Sequence, residues 1–296
     1  MRITLDRSIR SHARLAQTVL AIAITFLCAP AVAQQALPPE TEKETDVVTL
    51  DRVMVKGQAL RGEDKAFSTT RIGNEAIVAD RVSDIDSLFR QVPGMTVRSI
   101  GYGAVASSTV IRGFGGGGHG GDLGVVLDGI PLNEANSHAD GYVDVQVLVP
   151  LEIENVTVYR GPVSALYGNF NRGGLVAFET RKTGEYAEFD ASVGEFGTAD
   201  FQTAIGSPIG EHQQINFASQ LFYTDSFRTQ SKTERRTAAA RYNIELAPRL
   251  DLALSGRLHK SDADGAARIT RAQFEVDPFG IDPRTQNDAA FKDFQT

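Results

Sequence analysis

The stretch that decides the fold is Ile153–Lys182, IENVTVYRGPVSALYGNFNRGGLVAFETRK. Its first residues are rich in β-branched side chains and predict a strand, and Pro162 suits the first turn of the short helix that follows. Gly168 can end that helix, and the later glycine pair allows a bend into a second strand at Leu175–Thr180. The stretch contains no catalytic nucleophile, metal cluster or phosphate-binding loop. It therefore offers no pattern of an enzymatic site.

Three further motifs precede this stretch. Val82–Val92 predicts a helix capped by Ser83 and stopped by Pro93 and Gly94. Short strands are expected at Met95–Arg98, Thr109–Arg112 and Val125–Asp128. The motifs LFRQVPGMTV, TVIRG and VVLDGIPLN then lead, in this order, to the RGP-x-S-x-LYG run with its GG pair. This series resembles the plug domain of TonB-dependent outer-membrane receptors.

The resemblance implies an α+β plug domain, a small mixed sheet with short helices, over residues 57–182. The sequence after it changes in character. Residues 183–296 contain segments in which apolar and polar residues alternate, separated by turn signals such as Pro208 and Pro248. These segments are Tyr186–Val193, Asp200–Gly206, Gln214–Thr224, Thr237–Leu246 and Leu250–His259. Alternation is typical of transmembrane barrel strands, although a soluble β-sandwich shows it too. We expect the first antiparallel strands of a transmembrane β-barrel.

The N-terminus has the pattern of a cleavable signal peptide over residues 1–33. Four arginines precede an apolar run at Leu15–Leu27, and Ala31-Val32-Ala33 offers a cleavage site. The apolar run is too short to span a bilayer. Cys28 is the sole cysteine, so the exported chain has no thiol. Removing four arginines and one aspartate changes the net charge from −7 to −10, which argues against nucleic acid as a partner.

Residues 34–56 are expected to form a periplasmic lead. Within it lies an isolated β-prone segment that the family resemblance identifies as the TonB box, captured by strand addition to the periplasmic protein TonB. Its residues are Asp46, Val47, Val48, Thr49, Leu50, Asp51, Arg52 and Val53. The alternative is that this segment is the first strand of the domain, and Val53–Val55 can belong to either.

The resemblance also implies roles for individual plug residues. Arg112 and Arg160 match the two plug arginines that pair with glutamates of the barrel wall, although they can equally be ordinary surface arginines. Buried guanidinium–carboxylate pairs suit such a lock, because arginine stays charged and offers a rigid fork of donors. Loop residues are expected to face the ligand. They are Arg98, Tyr102, His119, Asn133, Asn136, His138 and Tyr142.

The sequence also contains patterns that superficially fit enzymatic or metal sites. The glycines from Gly113 to Gly118 fit a dinucleotide fingerprint, but a strand rather than a helix follows them, so nucleotide binding is rejected. His119, His138, Asp140 and Asp144 match no metal-ligand spacing. We expect no metal, no cofactor and no catalytic residues. A secreted hydrolase using Asp140, Asp144 or His138 has no supporting pattern.

The sequence therefore predicts an outer-membrane receptor for TonB-dependent uptake of a scarce ligand, such as a ferric siderophore or cobalamin. Its partners would be TonB, outer-membrane lipid and a small-molecule ligand such as a metal chelate. The alternative is a secreted soluble β-rich binding protein with a plug-like domain. Residues 183–296 suffice for roughly five or six strands, whereas plugged barrels have about 22. We expect a complete plug with the first quarter of a barrel, and expect the partners of Arg112 and Arg160 beyond Thr296.

Overall fold

The computed structural model describes residues 68–98, 105–115, 121–135 and 140–286, together with the backbone of residues 294 and 295. All of them belong to the unit Gly57–Thr296. Several predicted features lie outside the described residues. They are the signal peptide, the Asp46–Val53 segment, Tyr102, His119, Asn136 and His138.

The N-terminal domain, residues 68–182, is built on a mixed five-stranded sheet. Its strands are β1 (Thr69–Gly73), β4 (Leu123–Leu127), β5 (Ile130–Pro131), β6 (Ile153–Tyr159) and β7 (Gly174–Thr180), in the spatial order β1-β6-β7-β4-β5. Strands β4 and β7 run parallel, and the other pairs are antiparallel. A separate hairpin joins β2 (Met95–Arg98) to β3 (Ser108–Ile111). The predicted strands of this domain are thus present, with ends that differ by one or two residues.

The helices of this domain are short. They are α1 (Asn74–Ala79) and the 3-10 segments Ile85–Gln91, Val145–Val147, Pro150–Glu152 and Ala165–Tyr167. The predicted cap at Ser83 is wrong. The Asp84 side chain accepts from the Asp86 backbone N–H at 2.9 Å, so the helix predicted at Val82–Val92 begins only at Ile85 and ends at Gln91. Likewise Ser164, and not Pro162, precedes the turn that ends at Gly168 with φ +81°.

The hydrophobic core of this domain lies between the sheet and the Ile85–Gln91 helix. Leu88 and Phe89 project from the helix onto Val156 and Phe178 of the sheet, and all four are essentially inaccessible to solvent. The rings of Phe89 and Phe178 lie 6.2 Å apart. The core explains why residues that are distant in sequence fold into one unit.

The second region is an antiparallel sheet in which neighbours in sequence are neighbours in space. We call it the meander sheet. Its strands are β8 (Tyr186–Val193), β9 (Ala199–Pro208), β10 (Gln213–Thr224), β11 (Thr233–Ala247), β12 (Leu250–Ala263) and β13 (Phe294–Gln295). The helix α2 (Arg271–Val276) and a 3-10 turn at Pro283–Thr285 follow β12. The predicted class, an α+β domain followed by antiparallel strands, is confirmed.

No helix among the described residues is both long and apolar enough to cross a membrane.

Candidate functional site at the interface of the two regions

The inner face of the meander sheet packs on the N-terminal domain and is polar. Because successive side chains of a strand point to opposite faces, every second residue of β9 to β11 lies on this face. Buried examples are Gln202, Gln220, Arg235 and Thr237, none of them more than 4% exposed. The outer face carries Phe189, Leu254 and Leu258, which are 65%, 58% and 77% exposed. The sheet is therefore polar inside and apolar outside.

The first contact of this interface holds the backbone just before the Ile85–Gln91 helix. The Gln202 amide donates to the Val82 carbonyl at 2.8 Å, and the Gln220 amide donates to the Ser83 carbonyl at 2.9 Å. Arg235 adds a longer bond to the same Ser83 carbonyl at 3.2 Å. Side chains of the meander sheet, which we also call the wall, thus satisfy the carbonyl groups of Val82 and Ser83 in the N-terminal domain.

Carboxyl groups and one amide of the N-terminal domain form the second contact. Gln146 donates to Asp84 at 2.6 Å and to Asp86 at 3.1 Å, and its carbonyl oxygen accepts from Arg235. Burial, reinforced by the charge of Asp84, raises the pKa of Asp86 to about 6. Burial also raises the pKa of Asp144, although a backbone hydrogen bond and Arg235 act against it. This part of the interface is sensitive to protonation.

Ion pairs form the third contact, nearer the turns that join β9 to β10 and β11 to β12. Arg257 lies 2.6 Å from Glu152, and Arg241 lies 2.9 Å from Asp128. Lys182 reaches Asp128 as well, at 3.1 Å. The carboxylates are nearly buried, with side chains 9% exposed. Removing one member of such a pair leaves an uncompensated charge.

The structure brings the two predicted lock arginines together. The Arg112 guanidinium donates to the Arg160 carbonyl at 3.0 Å. The Arg160 guanidinium donates to the carbonyls of Ser68 and Thr69 at 3.2 and 3.1 Å, tying it to the start of β1. Within the described residues neither arginine forms an ion pair with a carboxylate. Their pairing with wall glutamates stays a prediction.

Two predicted ligand residues have structural partners. Asn133 accepts from the Val125 backbone N–H at 2.7 Å and donates to the Leu123 and Gly141 carbonyls, both at 3.0 Å. The Tyr142 hydroxyl accepts from the Ala106 backbone N–H at 3.0 Å. These bonds fix where the chain enters and leaves its loops. Contact with a ligand stays a prediction for both.

Arg98 is the third described member of the predicted ligand set, and it is exposed at the end of β2. The hydrolase candidates Asp140 and Asp144 do not form a shared reactive group with a nucleophile in the described contacts. Among residues that the structure describes, no three His, Cys, Asp or Glu side chains are grouped to hold a metal ion.

The sequence analysis did not predict the side chains of the meander sheet that contact the N-terminal domain. Arg241 lies within the predicted strand Thr237–Leu246, and Arg235 lies two residues before it, in β11. Because side chains of a strand alternate between its faces, both arginines share one face with Thr237 and Ala239. Arginine on the inner face of a strand next to a folded domain is a signal that could have been used. Their partners could not be named, because they lie over a hundred residues away.

A comparison with protein families decides the identity of the N-terminal domain. Residues 61–175 match the family described as TonB-dependent Receptor Plug Domain, and the match covers β1 to the start of β7. The N-terminal domain is a plug domain of the TonB-dependent receptor family. We call residues 68–182 the plug below.

Relatives agree with this assignment over most of the chain. The Ferrioxamine B receptor of Salmonella typhimurium is 30% identical over 250 residues, which are 81% of this chain and 34% of that protein. The vitamin B12 transporter BtuB of Photobacterium profundum is 26% identical over 277 residues, 90% of this chain and 43% of that protein. The chain thus spans between about a third and two-fifths of the length of these curated relatives.

Solved structures show the same fold. The ferric enterobactin receptor PfeA superposes with a TM-score of 0.54 at 17% identity, covering 70% of this chain and 36% of that one. The pyoverdine outer membrane receptor FpvA from Pseudomonas aeruginosa PAO1 gives 0.54 at 17% identity, covering 67% and 28%. The predicted resemblance to TonB-dependent receptors is confirmed.

Proposed function

We propose that this chain provides the plug and wall strands of an outer-membrane receptor that takes up a scarce small molecule, such as a ferric siderophore or cobalamin, with energy delivered by TonB. The observation that carries the proposal is the orientation of the meander sheet. Its apolar face points away from the plug and its polar face grips the plug, as expected of a lipid-embedded wall around a plugged lumen.

The dimensions of the strands support the same reading. Strands β8 to β12 are 8, 10, 12, 15 and 14 residues long, which brackets the roughly 9–11 residues that a tilted strand needs to cross a bilayer. The connections 209–212 and 248–249 are short, whereas 225–232 at the opposite end is longer. Outer-membrane barrels have short periplasmic turns and longer outer loops. The ion pairs of Arg241 would therefore lie toward the periplasm.

The outer apolar face also weighs against the soluble binding protein considered from the sequence. Leu250, Leu252, Leu254 and Leu258 form one exposed stripe on β12, and Phe201, Ile205, Ile215 and Phe217 extend it over β9 and β10. A contiguous exposed apolar surface of this kind is unfavourable in water and is typical of a membrane or protein contact. Lipid would cover this apolar surface over the whole sheet.

In the proposed mechanism the plug closes the pore until a ligand is bound at its outer loops. Ligand binding would make residues 46–53 accessible, and TonB would capture them by strand addition and pull. Arg112 and Arg160 would hold the plug to wall glutamates until then. This is transport without covalent chemistry, and it depends on the arrangement of the plug and the sheet rather than on a reactive centre.

The location is tested by fractionating cells that express the full-length protein. We expect it in the outer-membrane fraction and expect extraction only by detergent. Recovery in the soluble periplasmic fraction would overturn the membrane assignment and favour the soluble binding protein.

TonB coupling is tested separately by disulfide cross-linking between Val47→Cys and a TonB that carries a single cysteine. Leu50→Pro removes a backbone donor and should abolish the cross-link, because strand addition needs that donor. Glu42→Pro, in the polar lead, serves as the matched control and should leave it intact. Equal cross-linking in both proline variants would count against the proposed TonB box. Uptake is then assayed with ferric ferrioxamine B and with cobalamin as probes.

A further inference from the structure

Asp200 is a buried carboxylate of the inner wall face whose described hydrogen bonds all go to other wall residues. It lies on β9 and is 3% exposed. One of its oxygens accepts from the Gln202 amide at 2.6 Å, and the other accepts from the Gln220 amide at 2.9 Å. The Asp200 carboxylate therefore joins β9 to β10 through two side-chain amides.

Each of these amide nitrogens lies between two acceptors. On one side is an Asp200 oxygen, and on the other is a plug carbonyl, that of Val82 for Gln202 and that of Ser83 for Gln220. A carboxylate and a carbonyl can only accept, so only the NH2 end of each amide fits between them. The Asp200 carboxylate thus holds the NH2 end of both amides in the orientation that faces the plug.

We propose that Asp200 is a positioning residue that orients Gln202 and Gln220 as a latch on the Val82 and Ser83 carbonyls, and that this latch must open before the preceding plug residues can be drawn away from the wall. The inference deepens the proposed function and rests on it in one respect, because it assumes that force enters the plug from its N-terminal side.

The position of the latch along the chain supports this role. A force from the N-terminal side reaches β1 first, which is an edge strand paired only with β6. It then reaches α1 and, after that, Val82 and Ser83. The ion pairs of the wall involve Asp128 and Glu152, which come later. The latch is therefore the first hydrogen-bonded wall contact that the force meets among the described residues.

The burial of the latch adds to its effect. Gln202 and Gln220 are 1% and 2% exposed, so water does not compete for their donors while the plug is seated. The Gln202 carbonyl oxygen also accepts from the Leu151 backbone N–H at 3.3 Å, so both ends of this amide are engaged. Turning either amide would set its oxygen against a plug carbonyl.

The test is single-molecule pulling on the N-terminus of the full-length protein in lipid vesicles. The parent protein should show a rupture at the extension where residues up to Val82 have been freed, counted at about 3.6 Å per extended residue. Asp200→Asn should lower the force of that rupture and leave later ones in place. The asparagine side chain has one oxygen, which accepts, and one NH2 group, which donates, whereas Gln202 and Gln220 each need an acceptor at this position. One of these two glutamine amides must therefore turn.

The matched control is Asp190→Asn. Asp190 lies on the same face of β8, opposite Gln202 in the strand register, and one of its oxygens has no hydrogen-bond partner. The same carboxylate-to-amide change there should keep the rupture. Absence of the rupture from the parent protein, or its equal weakening in both variants, would overturn the proposal.

A double-mutant cycle separates positioning from a general loss of wall stability. Gln202→Leu with Gln220→Leu should weaken the rupture to what the remaining Arg235–Ser83 bond supports, and adding Asp200→Asn should weaken neither this rupture nor a later one. A further weakening on adding Asp200→Asn would show that the carboxylate acts through the wall and would overturn the positioning role. Neither experiment uses TonB or a ligand, so failure of the latch leaves the proposed uptake function standing, and failure of uptake leaves the latch testable.

Discussion

The plug and the meander sheet bury opposite chemistry. The plug encloses apolar side chains such as Leu88 and Phe178, both fully buried, as a water-soluble domain does. The meander sheet buries Gln220 and Arg235 against the plug and exposes Leu258. The same alternation rule for strands operates in both regions, but in the proposed receptor the outer face of the meander sheet meets lipid instead of water. Which face of a strand is apolar therefore reports its surroundings.

The largest expected effect on stability comes from replacing one phenylalanine by alanine in each region. Phe178→Ala should lower the free energy of unfolding of the plug by about 3–5 kcal/mol, because it leaves a cavity beneath Phe89. Phe189→Ala, on the outer face of β8, should leave plug stability unchanged. Urea unfolding in detergent micelles measures both. Equal losses would mean that the plug and the sheet share one core.

The next effect tests the outer face of the sheet by depth. Leu254 lies further into β12 than Leu250, which is beside the turn. In a bilayer the charge introduced by Leu254→Arg should cost about 2–4 kcal/mol, whereas that of Leu250→Arg should cost about 0–1 kcal/mol. Folding into lipid vesicles at increasing urea concentration provides the free energies. A penalty that does not depend on depth would contradict a membrane on this side.

The smallest effect concerns pH at the junction of the two regions. The folded-state pKa of Asp86 is raised to about 6 from 3.8, so the folded protein binds its proton first as pH falls, and stability increases. From pH 7 to pH 4 the gain from this group should be about 2 kcal/mol. Asp86→Asn should remove that gain, measured as the pH dependence of the urea midpoint of the plug. If the urea midpoint of Asp86→Asn depends on pH as steeply as that of the parent protein, Asp86 is not the source of the gain in stability.

Much of the fold follows from local sequence. The alternation from Tyr186 to Val193 gives β8 with both ends as predicted. Gly168 ends its helical turn because a left-handed φ suits glycine. The cap at Asp84 was missed, since Ser83 and Asp84 are both good capping residues and local sequence does not distinguish them.

The candidate site could be predicted only in part. The two lock arginines, Arg112 and Arg160, could be named from their motifs, and the structure places them side by side. Their glutamate partners, the TonB box and the ligand contacts stay predictions. Asn133 and Tyr142 show the difficulty, because a polar residue before or after a loop can serve the backbone of that loop as well as a ligand.

The order of elements, the faces of the strands and the family resemblance follow from the amino-acid sequence, because these depend on neighbours along the chain. Which groups meet across the interface depends on how the chain folds. The bonds from Gln202 to Val82, from Gln220 to Ser83 and from Arg241 to Asp128 join residues 120, 137 and 113 positions apart. Local propensity carries no information about such pairs. They form because the wall must satisfy the carbonyls and carboxylates that the plug presents to it.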